Sequence, residues 1–324
     1  MTFVKAGTQP KTKREQVFVL VEYGSPGMGK STLGQSAPEP VTFDFDDGMH
    51  RVAANHRGNY IIIEKYEDAL QALQLPEVQE AKSIVIDTGG ALINYLKDYV
   101  MRTKPGTQLS NGDFNGLKGF GYVKSEFESL VHRIKNLMHM NLIIIFHSNE
   151  VTMRDGTTAV RLQCEGSAKN IVWNMADFGG YMQMSDGKRT ITFTPSDEFF
   201  AKGCHGISGT YSLPELGEND KNEFLSKLFE KARQNIEQEN ITSNEKRTAY
   251  DAVMDEVKAM VDAVDDADSA TAAAHELPNL PHALTSKAEA SAMLAKKASG
   301  LGLVWDRQIK RYIKPVEEAI NAEQ

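Results

Sequence analysis

The sequence predicts an α/β fold: a mostly parallel central sheet with flanking helices and β-hairpin additions, followed by a helical C-terminal region. Apolar runs alternate with helical patterns up to about residue 150, and those runs are apolar almost throughout. From about residue 218 the chain becomes rich in Glu, Lys and Ala. Strands that alternate with helices form parallel β-α units, and continuously apolar strands are covered on both faces.

Five core strands are predicted in the first half of the chain, at 17–23, 41–45, 59–64, 83–87 and 141–147. Helices are expected near 30–36, 66–74, 90–102 and 121–139. Shorter extended pieces follow at 151–154, 158–163, 179–184 and 189–194, with Asp155-Gly156 and Asp186-Gly187 as hairpin turns. The expected organisation is a flexible basic segment (1–15), a main domain (16–215) and a helical region (216–324).

Composition is that of an ordinary soluble protein, with 41% hydrophobic and 25% charged residues among 324. No apolar run approaches the ~18 residues that a membrane span requires, and the N-terminus lacks an apolar signal core. We therefore expect a cytoplasmic protein without a membrane partner. Cys164 and Cys204 are too few for a disulfide framework or a zinc site. The net charge of −8 argues against unselective coating of nucleic acid but allows a local basic path.

A phosphate-binding loop follows the first strand. It matches G-x-x-x-x-G-K-[ST] throughout and consists of Gly24, Ser25, Pro26, Gly27, Met28, Gly29, Lys30, Ser31 and Thr32. The glycines let the backbone turn tightly and aim several N–H groups at one anion. Lys30 is expected to reach the β- and γ-phosphates, and the Ser31 hydroxyl to ligate Mg²⁺. The sequence therefore predicts a nucleoside triphosphate site.

Carboxylates at two strand ends are candidates for binding Mg²⁺ and for positioning the attacking water. The run Ser83–Asp87 ends in Asp87, which is expected to hold Mg²⁺ with Ser31; the alternative is a cap for the helix that starts near Gly90. The run 41–48 ends in Asp44, Asp46, Asp47 and Gly48. Asp46 either positions the attacking water or belongs to a solvated acidic turn.

His147 ends the fifth core strand. It either senses the γ-phosphate as a hydrogen-bond donor or is a satisfied structural histidine. Because the sequence has no Asn-Lys-x-Asp motif, ATP is favoured over GTP. A small-molecule kinase is disfavoured, because the clustered arginines of a kinase lid are missing from the sequence.

Together, residues 24–32, 43–48, 84–88 and 143–147 resemble the phage nucleotide-binding AAA family, bacteriophage ATPases with a RecA-like core that are related to Sak-type recombination proteins. The resemblance covers roughly residues 15–210. It implies ATP- and Mg²⁺-dependent action on single-stranded DNA in recombination, annealing or replication. By motif position, Asp44 matches a family aspartate, and Asp46 stands where RecA-like ATPases have a catalytic glutamate.

The resemblance also implies a homo-oligomer, since RecA-like relatives complete each ATP site with a basic residue from the next subunit. Lys202, in Phe199-Phe-Ala-Lys-Gly203, resembles such a residue, and Arg189 competes for the role. The alternative for Lys202 is an ordinary surface lysine.

Two segments have the mixture of cations and aromatic rings that single-strand binders use. Residues 103–122 carry Lys104, Phe114, Lys118, Phe120 and Tyr122, and residues 152–170 carry Arg154, Arg161 and Lys169. Taken alone, each is better interpreted as an ordinary mobile loop. The stretch Trp305–Lys314 either adds a basic and aromatic contact or forms an amphipathic helix.

Two functional hypotheses follow from the sequence. The first is a DNA-stimulated ATPase that assembles on single strands. The second is a nucleotide-dependent adaptor whose C-terminal region recruits a partner, such as a phage recombination or replication protein.

Overall fold

The computed structural model describes residues 15–153, 155–164 and 168–315, without the side chains of residues 168 and 169. Two compact units separate between Asn235 and Ile236. The expected division at residue 215 stays a prediction. The predicted basic segment 1–15 lies outside the described residues except for Glu15, as do Arg154 and the side chain of Lys169.

The main unit contains one large sheet and its flanking helices. Its strands are β1 (Val19–Gly24), β2 (Pro40–Asp44), β3 (Asn59–Ile62), β4 (Ser83–Asp87), β5 (Asn141–Thr152), β6 (Thr158–Leu162), β7 (Phe178–Ser185), β8 (Lys188–Thr192) and β9 (Thr210–Ser212). Its helices are α1 (Lys30–Gly34), α2 (Tyr66–Ala72), α3 (Pro76–Gln79), α4 (Gly89–Thr103), α5 (Gly116–His132) and α6 (Ala168–Met175). Helix α7 (Phe224–Asp262) begins in this unit.

Strand order in the sheet is β3-β2-β4-β5-β1-β7-β8-β9, with β6 paired to the far half of β5. The neighbouring strands β3, β2, β4, β5, β1 and β7 pair parallel to one another. Strand β8 pairs antiparallel with β7, β9 with β8, and β6 with β5. Strand β5 lies between β1 and β4 and places His147 opposite Gly24. These features confirm the predicted α/β fold class, a mostly parallel central sheet with flanking helices and hairpin additions.

Continuous apolar runs form the buried strands, as expected for a sheet covered on both faces. Every residue from Leu142 to Phe146 is almost completely buried. The β7–β8 hairpin turns through Asp186 and Gly187, whose φ angles of 50° and 74° are both positive. An Asp-Gly pair is suited to such a turn, because glycine adopts positive φ without strain.

The C-terminal unit contains the far part of α7, helix α8 (Ala267–Glu276), helix α9 (Ser286–Gly300) and a hairpin of β10 (Val304–Asp306) and β11 (Arg311–Ile313). Small and aliphatic side chains such as Val257, Ala270 and Leu294 form its core. The helical C-terminal region is confirmed, but a helix over residues 305–314 is wrong. In the hairpin, the Trp305 and Tyr312 rings pair across the strands with centroids 5.0 Å apart.

Across the part of the chain that the structure describes, helices long and apolar enough to cross a membrane are absent.

Candidate functional site

The carboxyl ends of β1, β2, β4 and β5 form a cleft of about 240 Å³ with the phosphate loop. The structure brings most of the sequence-predicted residues to it. Its polar lining includes Lys30, Ser31, Asp46, Arg51, Asp87, Thr88 and His147. We call this the phosphate cleft.

The phosphate loop has a backbone that only glycine adopts easily. Gly27 and Gly29 have φ angles of 79° and 83°, in the left-handed region. The Lys30 ammonium folds back and donates hydrogen bonds to the carbonyls of Gly24 and Ser25, each at 2.9 Å. Burial lowers the pKa of Lys30, and the carboxylates of Glu22 and Asp87 oppose that shift.

Asp87 ends β4 almost completely buried and is hydrogen-bonded to the Ser31 side chain. Burial raises its pKa to about 6; Asp46 and Asp44 add to the shift, and the bond to Ser31 opposes it. Its Oδ2 atom is buried with no hydrogen-bond partner among the described residues. Helix α4 is capped by the Thr88 side chain, which accepts from the Ala91 N–H at 3.3 Å. Asp87 is therefore not needed as the helix cap.

Asp44 and Asp46 play different parts in the structure. The buried Asp44 carboxylate accepts backbone N–H bonds from Gly48 and Met49, both at 2.9 Å, and so closes the turn. The side chain of Asp46 is 29% exposed and lines the phosphate cleft, 3.9 Å from the Arg51 guanidinium. Burial raises the pKa of Asp46. Asp46 is thus available to a ligand, whereas Asp44 is committed to the backbone.

His147 lies between two cavities. It lines the phosphate cleft and also a neighbouring cavity of about 440 Å³ that includes Thr88, Asn149 and Gln163. Its Nδ1 atom is buried without a hydrogen-bond partner in the described part of the chain. Burial, and then the charge of Lys30, lower its pKa, so the imidazole is neutral at pH 7.

Sequence reasoning missed Arg51, which lines the phosphate cleft, and Glu22, which interacts electrostatically with Lys30 and Asp87 from within β1. Glu22 is wholly buried in β1, and neither carboxyl oxygen has a hydrogen-bond partner among the described residues. Burial raises its pKa well above the ordinary value; Asp87 adds to the shift and Lys30 opposes it. The available signal was a single acid within an otherwise apolar strand.

The two candidates for a basic residue acting on a neighbouring subunit lie in different places, Lys202 away from the phosphate cleft and Arg189 beside the phosphate loop. The Lys202 ammonium donates to the Ala176 carbonyl, and Lys202 does not line the phosphate cleft. The Arg189 Nη1 atom lies 3.3 Å from where a Cβ on Gly29 would be. Their roles toward another subunit stay predictions.

The two segments with nucleic-acid-binding composition form different structures. In residues 103–122, the rings of Phe114 and Phe120 lie under the Lys97 ammonium, 5.9 and 5.8 Å from it. The second segment contributes to the β5–β6 hairpin, where Arg161 donates to the carbonyls of Val160 and Glu198. This hairpin continues directly from His147.

Comparisons with known proteins place a family match on the main unit. A family model described as an AAA domain matches residues 17–205. No curated protein matches the chain. Among solved structures, the chain is similar to the flagellar accessory protein FlaH from Methanocaldococcus jannaschii (10% identity, TM-score 0.32, covering 55% of this chain and 77% of that one). It is also similar to the RadB recombinase (10% identity, TM-score 0.35, covering 60% and 86%).

Proposed function

The chain belongs to the AAA domain family, and on that basis we propose that it is an Mg²⁺-dependent ATPase that acts on single-stranded DNA. We further propose that it assembles as a homo-oligomer and serves phage recombination, annealing or replication in the host cytoplasm. The observation that carries the proposal is the convergence of Lys30, Ser31, Asp87 and Asp46 on one cleft beside the phosphate loop.

The oxygen donors of the phosphate cleft fit Mg²⁺. This ion prefers one or two carboxylates together with phosphate oxygens and water. Ser31 and Asp87 would hold it, and the unpartnered Oδ2 of Asp87 has the chemistry of a ligand or of an acceptor for a metal-bound water. When bound, Mg²⁺ neutralises charge on the β- and γ-phosphates.

The protein groups then have separable tasks. Lys30 exchanges its two carbonyl acceptors for phosphate oxygens, which are stronger partners because they are charged. Asp46 accepts a proton from, or orients, the attacking water, and burial raises its pKa, which makes its carboxylate a stronger proton acceptor. The neutral His147 donates one hydrogen bond to the γ-phosphate end.

A continuous strand supports coupling between the cleft and DNA. Strand β5 runs through His147 into the β5–β6 hairpin, where Val151 and Met153 are exposed. At its base, the Ser148 hydroxyl lies 3.5 Å from that of Ser25 in the phosphate loop. Single-stranded DNA bound to the hairpin would therefore affect both the phosphate loop and His147 directly.

The test is the ATP hydrolysis rate of the purified chain with and without single-stranded DNA, at low and high salt. The proposal predicts faster hydrolysis with DNA and a loss of that stimulation as salt screens phosphate contacts. An unchanged rate with every nucleic acid tested would refute the proposed action on single-stranded DNA. The rate without DNA tests the proposed ATPase activity separately.

A second candidate function is a nucleotide-dependent adaptor. The C-terminal unit has its own apolar core, and its hairpin exposes Val304, Ile309 and Ile313. Such aliphatic side chains next to cations suit a protein partner. If the chain is an adaptor, replacing Ile309 with Asp should abolish capture of the partner and leave ATP binding unchanged. Capture of the partner at the wild-type level would contradict the adaptor function.

A further inference from the structure

A second cavity adjoins the phosphate loop and differs in chemistry from the phosphate cleft. It has a volume of about 210 Å³ and shares Gly29 and Thr32 with that cleft. Its other walls include Leu213, Pro214, Leu216 and Phe224. Among the described residues that line it, none is an aspartate or glutamate. We call it the apolar pocket.

Specific hydrogen bonds hold the walls of the apolar pocket in place. The Asn222 side-chain amide donates to the Thr32 carbonyl at 2.6 Å, which fastens one wall to helix α1. The His56 Nε2 atom lies 3.1 Å from the Gly217 carbonyl. The Leu213 N–H donates to the Arg189 carbonyl at 2.8 Å. The pocket is therefore fixed at three points by chain segments far apart in sequence.

Its position relative to the phosphate cleft suggests its occupant. In a phosphate loop the backbone surrounds the α- and β-phosphates, while the lysine and the metal ligands face the β- and γ-phosphates. Lys30 and Asp87 therefore mark the γ-phosphate end of the cleft. We propose that the apolar pocket, which adjoins the loop at Gly29 and Thr32 without those groups, receives the nucleobase of the bound triphosphate. This inference rests on the proposed nucleotide site.

The size and chemistry of the pocket fit a flat aromatic ring system. Pockets for whole drug-sized ligands measure roughly 300–1,000 Å³, so this one holds part of a nucleotide. Leucine side chains and the Phe224 ring supply apolar contact. The Arg189 guanidinium, which lies over Gly29, supplies a cation of the kind that stacks on aromatic faces.

The same lining favours adenine over guanine. Guanine presents two kinds of N–H donor on its pairing edge, and a carboxylate is the acceptor that satisfies both. The described lining of the apolar pocket offers no carboxylate. Buried donors without acceptors are costly, so guanine is disfavoured.

The test separates base binding from phosphate binding by comparing Mg·ATP with Mg·tripolyphosphate, which has no base. The variant is Leu216→Asn, which puts a polar amide in the pocket wall; its control is Leu137→Asn, at a leucine that is 70% exposed. Leu216→Asn should weaken Mg·ATP roughly tenfold, a modest loss on the affinity scale, and leave Mg·tripolyphosphate within about twofold. Equal effects on both ligands, or on neither, would overturn the proposal.

Photolabelling of the wild type with 2-azido-ATP gives a second test that depends on no variant. The label should map to the chain segment 213–224 or to residues 53–56. A label confined to residues 88–94 or 147–163 would refute the apolar pocket as the base site. Saturable ATP binding with the wrong labelled segment refutes only this inference, whereas failure of ATP and tripolyphosphate alike to bind refutes the proposed function.

Discussion

The two units of the chain bury different kinds of side chain. In the main unit, Glu22, Asp87 and His147 are polar groups with buried atoms that have no hydrogen-bond partner among the described residues. In the C-terminal unit the core is small and aliphatic, and an exposed carboxylate such as Asp266 accepts from the Ser269 N–H at 2.8 Å. Among the described residues of that unit, the one comparable buried atom without a hydrogen-bond partner is Arg247 Nε, and the Arg247 guanidinium forms an ion pair with Asp251 at 3.1 Å.

Burying an unpaired polar group costs free energy, so a fold retains one only where something else offsets the cost. Two of these groups, Asp87 and His147, line the phosphate cleft, where a charged ligand and its metal would supply the missing partners. The C-terminal unit is built for stability or for binding at its surface. The contrast predicts that changes in the first unit affect ATP chemistry and changes in the second do not.

The largest expected effect is that of Lys30→Ala. Removing the charge that faces the β- and γ-phosphates should lower ATP turnover on the order of a thousandfold. The matched control is Lys258→Ala in the C-terminal unit, whose side chain is 57% exposed. Steady-state hydrolysis measures both, and wild-type turnover in Lys30→Ala would remove the phosphate cleft as the site.

Asp46→Asn should have the next largest effect. An amide cannot accept the proton of the attacking water, so turnover should fall about a hundredfold, as for loss of a general base. Binding of Mg·ATP, followed by titration calorimetry, should stay within a few fold, because Asp46 does not face the phosphate chain in this role. Unchanged turnover would return Asp46 to a solvated acidic turn.

A smaller effect concerns the pH dependence of folding without nucleotide or metal. Burial raises the pKa of Asp87 from 3.8 to about 6, so its carboxyl binds a proton more tightly in the folded chain than in the unfolded one. The stability that this proton contributes is complete below pH 4 and is lost as the pH rises to about 6. The loss is about 3 kcal/mol, at 1.36 kcal/mol for each pH unit.

Asp87→Asn isolates this contribution, because the amide does not titrate. Denaturant unfolding at pH 4 and at pH 7 should show the variant gaining about 3 kcal/mol on the wild type between the two values. If the difference in unfolding free energy between the two proteins is independent of pH, burial does not raise the pKa of Asp87.

The smallest effect on the cleft is expected from the C-terminal unit. Leu294→Ala leaves a cavity in its core and should cost about 2–5 kcal/mol of stability. At a temperature where the variant remains folded, basal ATP turnover and Mg·ATP affinity should match the wild type. A substantial change in either would show that the C-terminal unit affects ATP binding or hydrolysis in the main unit.

What the sequence could predict follows from how local each feature is. The phosphate loop, the strand end at Asp87 and the Asp186-Gly187 turn are encoded by a few adjacent residues, so their patterns could be recognised. The same holds for the buried strands, whose apolar character needs no partner to be visible. Assignment of Mg²⁺ and of a water-positioning role went beyond these patterns and remains a prediction.

Features that depend on distant segments could not be predicted. The complete burial of Glu22 depends on the rest of the fold, although the sequence does show a single acid within an apolar strand. The apolar pocket exists because residues 213–224 are fastened to Thr32, about 190 residues earlier in the chain. The Trp305–Lys314 stretch has apolar and basic residues at spacings that suit a helix or a strand, and the Trp305–Tyr312 pairing decides for a hairpin.

The most direct test of the account is the unfolding free energy of the chain with and without ATP and Mg²⁺. If the phosphate cleft binds the nucleotide, a concentration one hundred times the dissociation constant should stabilise the wild type by about 2.7 kcal/mol. The Lys30→Ala variant at the same concentration should gain much less. No stabilisation of the wild type at millimolar ATP with Mg²⁺ would contradict the claim that this cleft is a nucleotide site.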